Sequence, residues 1–265
     1  MRENAAIAFI NLSDSESVGI VASSSIIEAP PAILKDPRVA EKWRGRNGET
    51  EYLLIDLDSV QSIDTVMLLG LNLTLAGITR IRVSAVDSSG ETGEAHDSLA
   101  DDGRVDPEYG ALIYLLDEPV MGRYIRIDLT EPDEEYIEAG RLGIFLRSTF
   151  NFNYPFGWEE APIDESIETQ SRSGQDYIDV GPTRRCWTVR WPWLTLSERN
   201  SYLQQLDRWN GIRKAFLFIG DPGSDNLGRD SIWGRVKEIP ATVPIEAFEG
   251  SDELYSKAYK IYETL

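Results

Sequence analysis

Short runs of alternating apolar and polar residues, cut at close intervals by Gly, Asp, Ser and Pro, constrain this chain more than any other feature. Such runs suit strands that bury one face and wet the other. In the first half the candidate strands are 6–11, 20–22, 52–57, 65–71, 80–85, 111–116, 124–129 and 140–146. In Ile78-Thr79-Arg80-Ile81-Arg82-Val83-Ser84 the middle of the run has period two, which sends Ile81 and Val83 to one side. The closely punctuated series predicts an antiparallel sandwich. A short helical turn is expected around Val39–Lys42, after the proline-rich stretch Pro30–Pro37. The glycine-bearing acidic segment Asp87–Glu108 reads as a long exposed loop that includes His96.

From Thr149 the texture changes to Phe150-Asn151-Phe152-Asn153-Tyr154-Pro155-Phe156-Gly157-Trp158, an aromatic link broken by proline. A domain boundary placed there gives a first domain over 1–148 and a second over 149–265. In the second, runs 166–172 and 175–181 flank a tight turn at Ser173-Gly174, and 184–191 is a further strand. Ser197 is positioned to cap a helix through about Trp209, which Asn210-Gly211 would stop. Tyr202, Leu203, Leu206 and Trp209 recur at three- and four-residue steps as its apolar face. Strands are expected at 215–219, 232–236 and 242–248. The tail 255–262 reads as a closing strand with Tyr255, Lys257, Tyr259 and Ile261 on one side, with a helix as the alternative. The fold class is mainly β: a sandwich followed by a β-rich α+β domain with one main helix.

Charge narrows the functions. The chain of 265 residues carries a net charge of -19. Of 26 Lys+Arg and 45 Asp+Glu, residues 1–148 hold 13 and 27, leaving 13 and 18 for residues 149–265. A surface this acidic repels phosphate backbones and anionic headgroups, so neither nucleic acid nor membrane insertion is expected. The run Met1-Arg2-Glu3-Asn4 has no hydrophobic secretory core, and no apolar stretch is long enough to span a bilayer, so synthesis and folding in a cytoplasm are expected.

The one cysteine, Cys186, sits in an alternating run and reads as core; the one histidine, His96, has no neighbouring cysteine or histidine. No nucleophile–base device, zinc site, dinucleotide fingerprint or phosphate loop is legible, and no cofactor or resident metal is expected. The acids of Asp101–Glu108 are oxygen-rich enough to suggest calcium, but their spacing is not that of an EF-hand. Adjacent carboxylates such as Glu134-Glu135 and Glu159-Glu160 do not make the facing pair that glycoside cleavage needs, so no catalytic residue is assigned. Trp43 and Tyr109, with the amide of Asn72, are the residue types that bind sugars, by stacking on C–H faces and bonding hydroxyls; Tyr52 and Tyr114 share that chemistry. The bland alternative is that Trp43 plugs one end of the sandwich and the tyrosines pack along strands. Phe150, Phe152, Tyr154, Phe156 and Trp158 are candidates for an assembly surface or, equally, for an interface within the chain.

Two resemblances sharpen this reading. Trp43-Arg44, Tyr52-Leu53-Leu54-Ile55-Asp56-Leu57, Ile63-Asp64-Thr65-Val66, Arg80-Ile81-Arg82-Val83-Ser84 and Arg123-Tyr124-Ile125-Arg126-Ile127, in that order, resemble discoidin-like (coagulation factor type C) jelly rolls over about residues 15–147. That resemblance implies an eight-stranded sandwich whose loop end binds carbohydrate or another surface ligand. The family's frequent terminal cysteine pair is missing, so its extracellular animal form is not implied.

Residues Tyr136–Gly143, Asn151-Phe152 and Gly157-Trp158 resemble a junction in tail proteins of long-tailed bacteriophages. Downstream, Arg185 to Trp191, Leu194–Glu198, Leu203 to Trp209, Gly211, Ala215–Ile219 and Asp221-Pro222 are similar to distal-tail or minor-tail domains. This implies a strand–helix–strand core in a subunit of a symmetric, homo-oligomeric ring. Together the two imply a non-enzymatic tail-tip or baseplate component located in the virion tail. Its expected partners are the tail tube, hub and fibre proteins and a host-surface glycan. The alternatives are a stand-alone carbohydrate-binding protein and, third, a glycan-cleaving enzyme.

Overall fold

The computed structural model describes residues 4–46, 48–99, 105–154, 159–245 and 253–264. The fold is mainly β with one helical segment among the described residues. The chain divides into two compact units, residues 1–149 with 219–231, and residues 150–218 with 232–265.

The first unit runs through β1 (Ala6–Ala8), β2 (Gly19–Ala22), β3 (Trp43–Arg44), β4 (Thr50–Leu69), β5 (Ile78–Ser84), β6 (His96–Asp97), β7 (Val105–Asp106), β8 (Ala111–Thr130), β9 (Glu138–Ala139), β10 (Arg141–Phe145) and β11 (Ser148–Thr149). Its sheet has the order β10-β4-β8-β5-β6, with β2 on β4 and β7 on β8. The runs expected as separate strands at 52–57 and 65–71 are one twenty-residue strand, and so are those at 111–116 and 124–129. The pair stays antiparallel throughout, from Thr50↔Thr130 to Leu69↔Ala111, with register shifts between Asp56 and Gln61 and between Ile63 and Thr65. At the first shift Asp58 takes a left-handed φ of 70°, and the Arg123 guanidinium grips Asp56 through Nε at 2.7 Å and an Nη at 2.9 Å. Leu53, Ile55, Ile125 and Ile127 before the bend and Val66, Leu68 and Leu112 beyond it then share one buried cluster with Ile81, Val83, Leu142 and Ile144. An irregular ribbon thus supplies both walls of the core.

The second unit runs through β12 (Glu159–Asp164), β13 (Ile167–Gln170), β14 (Asp176–Asp179), β15 (Thr183–Thr195), the helical segment, β16 (Phe216–Ile219), β17 (Ser231–Val236), β18 (Val243–Pro244) and β19 (Leu254–Glu263). Its sheet has the order β16-β17-β19-β15-β12, with β18 on β19. Trp187, Val189, Trp191, Phe216, Phe218, Tyr259 and Ile261 are buried, and Phe218 meets Trp187 and Trp191 edge-on.

The helical segment begins two residues earlier than expected. Thr195, not Ser197, is its cap: the Glu198 backbone N–H donates to the Thr195 hydroxyl, and the Glu198 carboxylate accepts from the Thr195 backbone. The segment is α-helical over Leu196–Glu198, π-helical over Arg199–Leu203 and α-helical again over Gln204–Trp209. After buried Leu203 and Leu206 the core-facing place goes to Asn210, whose amide donates to the Ala215 carbonyl at 3.0 Å; Trp209 stays half exposed. Gly211, at φ 51°, ends the segment by donating to the Leu206 carbonyl.

Buried Lys257 ion-pairs with Asp207 of the helix, and the Tyr259 hydroxyl donates to the same carboxylate at 2.7 Å. Burial first, then the Asp207 charge, pushes the Tyr259 phenol far above its usual range. This cluster fastens the helix to β19.

Other local expectations change as well. Near the helical turn sought at Val39–Lys42 there is a single hydrogen-bonded turn, Glu41 N–H to the Arg38 carbonyl, and the helical geometry lies earlier, in a 3-10 turn at Pro31–Lys35, where proline's fixed φ suits the first position. His96 lies on a strand, with its Nε2 2.9 Å from the Tyr114 hydroxyl. Within the acidic segment, Asp87 caps its own loop by accepting from Ser89 and Thr92; these bonds hold its carboxyl well below the usual range. Asp101–Arg104, at the heart of the suggested calcium stretch, lie outside the described residues.

Candidate functional site

In the first unit, β4, β8 and β10 reach one end at Leu69, Ala111 and Arg141, which are cross-strand neighbours. The loops that leave this end, around 70–77, 107–110 and 131–138, surround an open depression of about 650 Å³. It is lined by Leu71–Ala76, Pro107 and Asp133.

Glu131 organises it. Although fully buried, it is not idle: its carboxylate accepts the Thr74 backbone N–H at 2.5 Å, the Thr74 hydroxyl at 3.1 Å and the Asp133 backbone N–H at 3.1 Å. One buried acid therefore ties two loops together, as an otherwise costly charge must be tied. The third loop joins when the Leu71 N–H donates to the Gly110 carbonyl at 2.9 Å. Gly110 sits at φ 55°, and a Cβ there would stand 2.9 Å from the Leu71 oxygen.

Asn72 acts inside this frame. Its Nδ2 donates to the Tyr136 carbonyl at 2.8 Å and its Oδ1 accepts the Glu138 N–H at 2.9 Å, so the side-chain amide bridges loops. Glu138 in turn receives Lys42 at 2.5 Å and Arg44 at 2.9 Å. Burial opposes its ionisation, but the two cations more than offset this and hold its carboxyl below the ordinary range. The Arg44 guanidinium lies 4.0 Å over the Tyr136 ring.

Trp43 is corrected as a sugar platform: it is fully buried, and its indole N–H donates to the Ser24 carbonyl at 3.2 Å, so the plug alternative describes it. Tyr109 is half-buried in the turn after Asp106 and lies near Arg229. Tyr114 is engaged with His96, and Arg126 covers the Tyr52 ring at 4.0 Å. The exposed residues lining the depression are Asp133, Leu75 (90% exposed), Ala76 and Pro107, and Asp133 carries the one carboxylate among them. Sequence reading missed Glu131, Asp133 and Leu75, because a lone acid or leucine in a loop carries no pattern.

The aromatic link divides. Phe150 is buried in the second unit, with its ring centroid 4.6 Å from that of Trp191 and edge-on to Tyr202. Tyr154 is buried against Phe218. These two are core rather than assembly surface, as aromatic rings beside a tryptophan-rich sheet would be. Phe152 is half exposed; Phe156 and Trp158 lie outside the described residues.

The exposed feature of the second unit is the hairpin β13–β14, in which no strand residue is buried. Its turn uses three residues, Arg172-Ser173-Gly174, rather than the expected two. The Gly174 N–H donates to the Ser171 carbonyl, and Gly174 takes φ 82°. Ile167, Tyr177, Ile178 and nearby Val180 are each more than half exposed.

No protein-family model and no curated protein matches the chain. Among solved structures it is similar to a Ruminococcus gnavus family 29 fucosidase in complex with fucose, at 16% identity and a TM-score of 0.43, over 52% of this chain and 27% of the fucosidase. It is also similar to the family 32 carbohydrate-binding module of C. perfringens NanJ in complex with galactose, at 13% identity and a TM-score of 0.42, over 53% of this chain and 99% of the module. The lectin domain of lectinolysin complexed with Lewis B antigen matches at 11% identity and a TM-score of 0.40, over 51% of this chain and 96% of that domain.

Proposed function

We propose that the chain is a non-enzymatic carbohydrate-binding β protein whose first unit takes a sugar in the loop-end depression. The observation that carries this is the pinned frame: Glu131 and Asn72 hold the loops while Asp133 and Leu75 stay free at the surface. A carboxylate beside an apolar surface can accept hydroxyl protons while the apolar side covers a C–H face. Galactose, fucose, chito-oligosaccharides and Lewis-type oligosaccharides are suitable probes. Titration followed by NMR should shift the 71–76 amides, and Asp133→Ala or Leu75→Ser should abolish the shift with the thermal midpoint unchanged. Absence of any shift across the panel, or equal binding by both variants, refutes this reading.

The exposed hairpin favours a second role, assembly into a symmetric ring of a bacteriophage tail tip or baseplate, next to tube, hub or fibre proteins. A hairpin with apolar side chains in water on both faces is a feature expected to be covered in an assembly. Immunogold electron microscopy of virions tests it: gold at the tail tip supports the role, and unlabelled particles beside soluble antigen defeat it.

A further inference from the structure

The second unit carries a basic face in a chain of net charge -19. Cross-strand pairing sets Thr188 opposite Lys260, Arg190 opposite Ala258 and Arg235 opposite Tyr262, which places them on one face of β15, β19 and β17. Lys237, two residues beyond Arg235, joins them. Arg190, Arg235, Lys237 and Lys260 are exposed, and none forms an ion pair among the described residues. The Lys237 ammonium lies 4.2 Å and the Lys260 ammonium 5.5 Å from the Tyr262 ring centroid. A depression of about 350 Å³ lies between Lys237 and Lys260, floored by Ala258 and Tyr262 and edged by Pro240 and Glu238. With Glu159 opposite Thr188, the four cations of this face outnumber its two exposed carboxylates.

The hairpin has the opposite character. Glu168 is paired across from Ile178 and Asp179 across from Ile167, so each face of the ribbon sets an acid beside an exposed aliphatic side chain. Asp176 adds a third carboxylate, against one cation, Arg172, in the turn.

We infer that the hairpin β13–β14 of one copy docks on the Arg190/Arg235/Lys237/Lys260 face of a second copy. The inference rests on the assembly role proposed above and deepens it by naming the partner, a second copy of this chain. Charge sign, the pairing of aliphatic groups with acids, and a depression flanked by lysines all match across the two surfaces. Because the surfaces are different patches of one unit, two copies can dock reciprocally as a closed pair, or the contact runs head-to-tail into a larger ring or a filament.

The test is charge exchange in the full chain, read by analytical ultracentrifugation at low and high salt. Wild type should associate at about 0.1 M salt and dissociate as screening shortens the Debye length from about 10 Å. Lys237→Glu with Lys260→Glu, and separately Glu168→Lys with Asp179→Lys, should each weaken association at least tenfold while circular dichroism and thermal midpoint stay at wild-type values. Mixing the two variants should restore association, because each reversed hairpin then meets a reversed face.

Wild type that stays monomeric at about 100 μM, well above a useful affinity, overturns the inference. So does association unmoved by either reversal, or failure of the mixture to recover. Loss of heparin binding in the lysine variant with association intact assigns the face to a free polyanion and also overturns it. Association insensitive to charge leaves the ring role standing through another surface. Restored association in the mixture with unlabelled virions upholds the docking and removes the tail role.

Discussion

Two antiparallel ribbons of this chain share one kind of ladder and meet opposite surroundings. The β4–β8 ribbon alternates buried and wetter positions over Thr50–Leu57 and Ile125–Thr130, is buried continuously over Ile63–Leu68, and is fastened at its register shift by the Asp56–Arg123 fork. The β13–β14 ribbon has four residues per strand, none of them buried, and is closed by a three-residue turn. A two-stranded hairpin alone in water is marginal. Sequence alternation therefore proposes both ribbons, while burial decides which is a wall of the core and which is a surface for something else. The same holds for aromatic side chains, since a ring belongs to whatever covers it.

That contrast breaks most sharply on two aromatic truncations. Trp43→Ala empties a fully buried site in the first unit and should destabilise that unit by about 3–5 kcal/mol. Tyr177→Ala, at a position 58% exposed on the hairpin, should change stability by less than about 0.5 kcal/mol. Thermal and urea unfolding compare them directly. Similar costs for both would mean that the hairpin is covered in the isolated chain, contrary to its exposure.

A smaller effect is expected where the second unit buries charge. Lys257→Met removes the cation that satisfies Asp207 and should cost about 2 kcal/mol, because Asp207 keeps the Tyr259 hydroxyl and some contact with solvent. Lys260→Met, three residues on and exposed, should leave the midpoint within about 0.5 kcal/mol of wild type. A neutral Lys257→Met would show that the ammonium does not fasten the helix.

Acid sharpens the comparison further. Arg80 donates to Asp97 at 2.8 and 2.6 Å, and these bonds, against desolvation and with help from the Leu99 N–H, lower the Asp97 pKa from 3.8 to about 2. The folded state thus binds this proton less readily than the unfolded state. The contribution is present above about pH 4 and is lost as the pH falls toward 2. Urea midpoints of the first unit should fall across that window, and Arg80→Met should flatten the part of the slope due to Asp97. An unchanged slope in the variant would remove Asp97 from the acid response.

Much of this was legible, and the misses have physical causes. Ile81 and Val83, and Tyr255, Lys257, Tyr259 and Ile261, face inward as period two requires, even though one of them is a lysine. The continuity of β4 through Asp58-Ser59-Val60-Gln61-Ser62 was hidden because that stretch is polar and its strand partner lies some sixty residues away, at Val120–Arg123. Trp43 and Asn72 were legible as chemistry but not as exposure. Glu131, which shapes the depression, carries no local signal because its partners Thr74 and Asp133 come from two loops. The Thr195 cap was readable from the Thr-x-x-Glu spacing at Thr195 and Glu198, but Ser197 sits closer to the apolar periodicity.

The smallest predicted effect isolates the hairpin from everything else. Gly174 lies at φ 82°, and a Cβ built there meets nothing within 4 Å, so Gly174→Ala introduces backbone strain without a clash. That strain is about 1 kcal/mol for an L residue in the left-handed region. Because the hairpin buries none of its strand residues, the cost should stay local: faster hydrogen exchange at the cross-strand amides of Ile167–Gln170 and Asp176–Asp179, with the global unfolding midpoint unmoved. If the global midpoint fell by the same amount, the hairpin would be unfolding together with the unit's core, and its separation from the β4–β8 ribbon in kind would be lost.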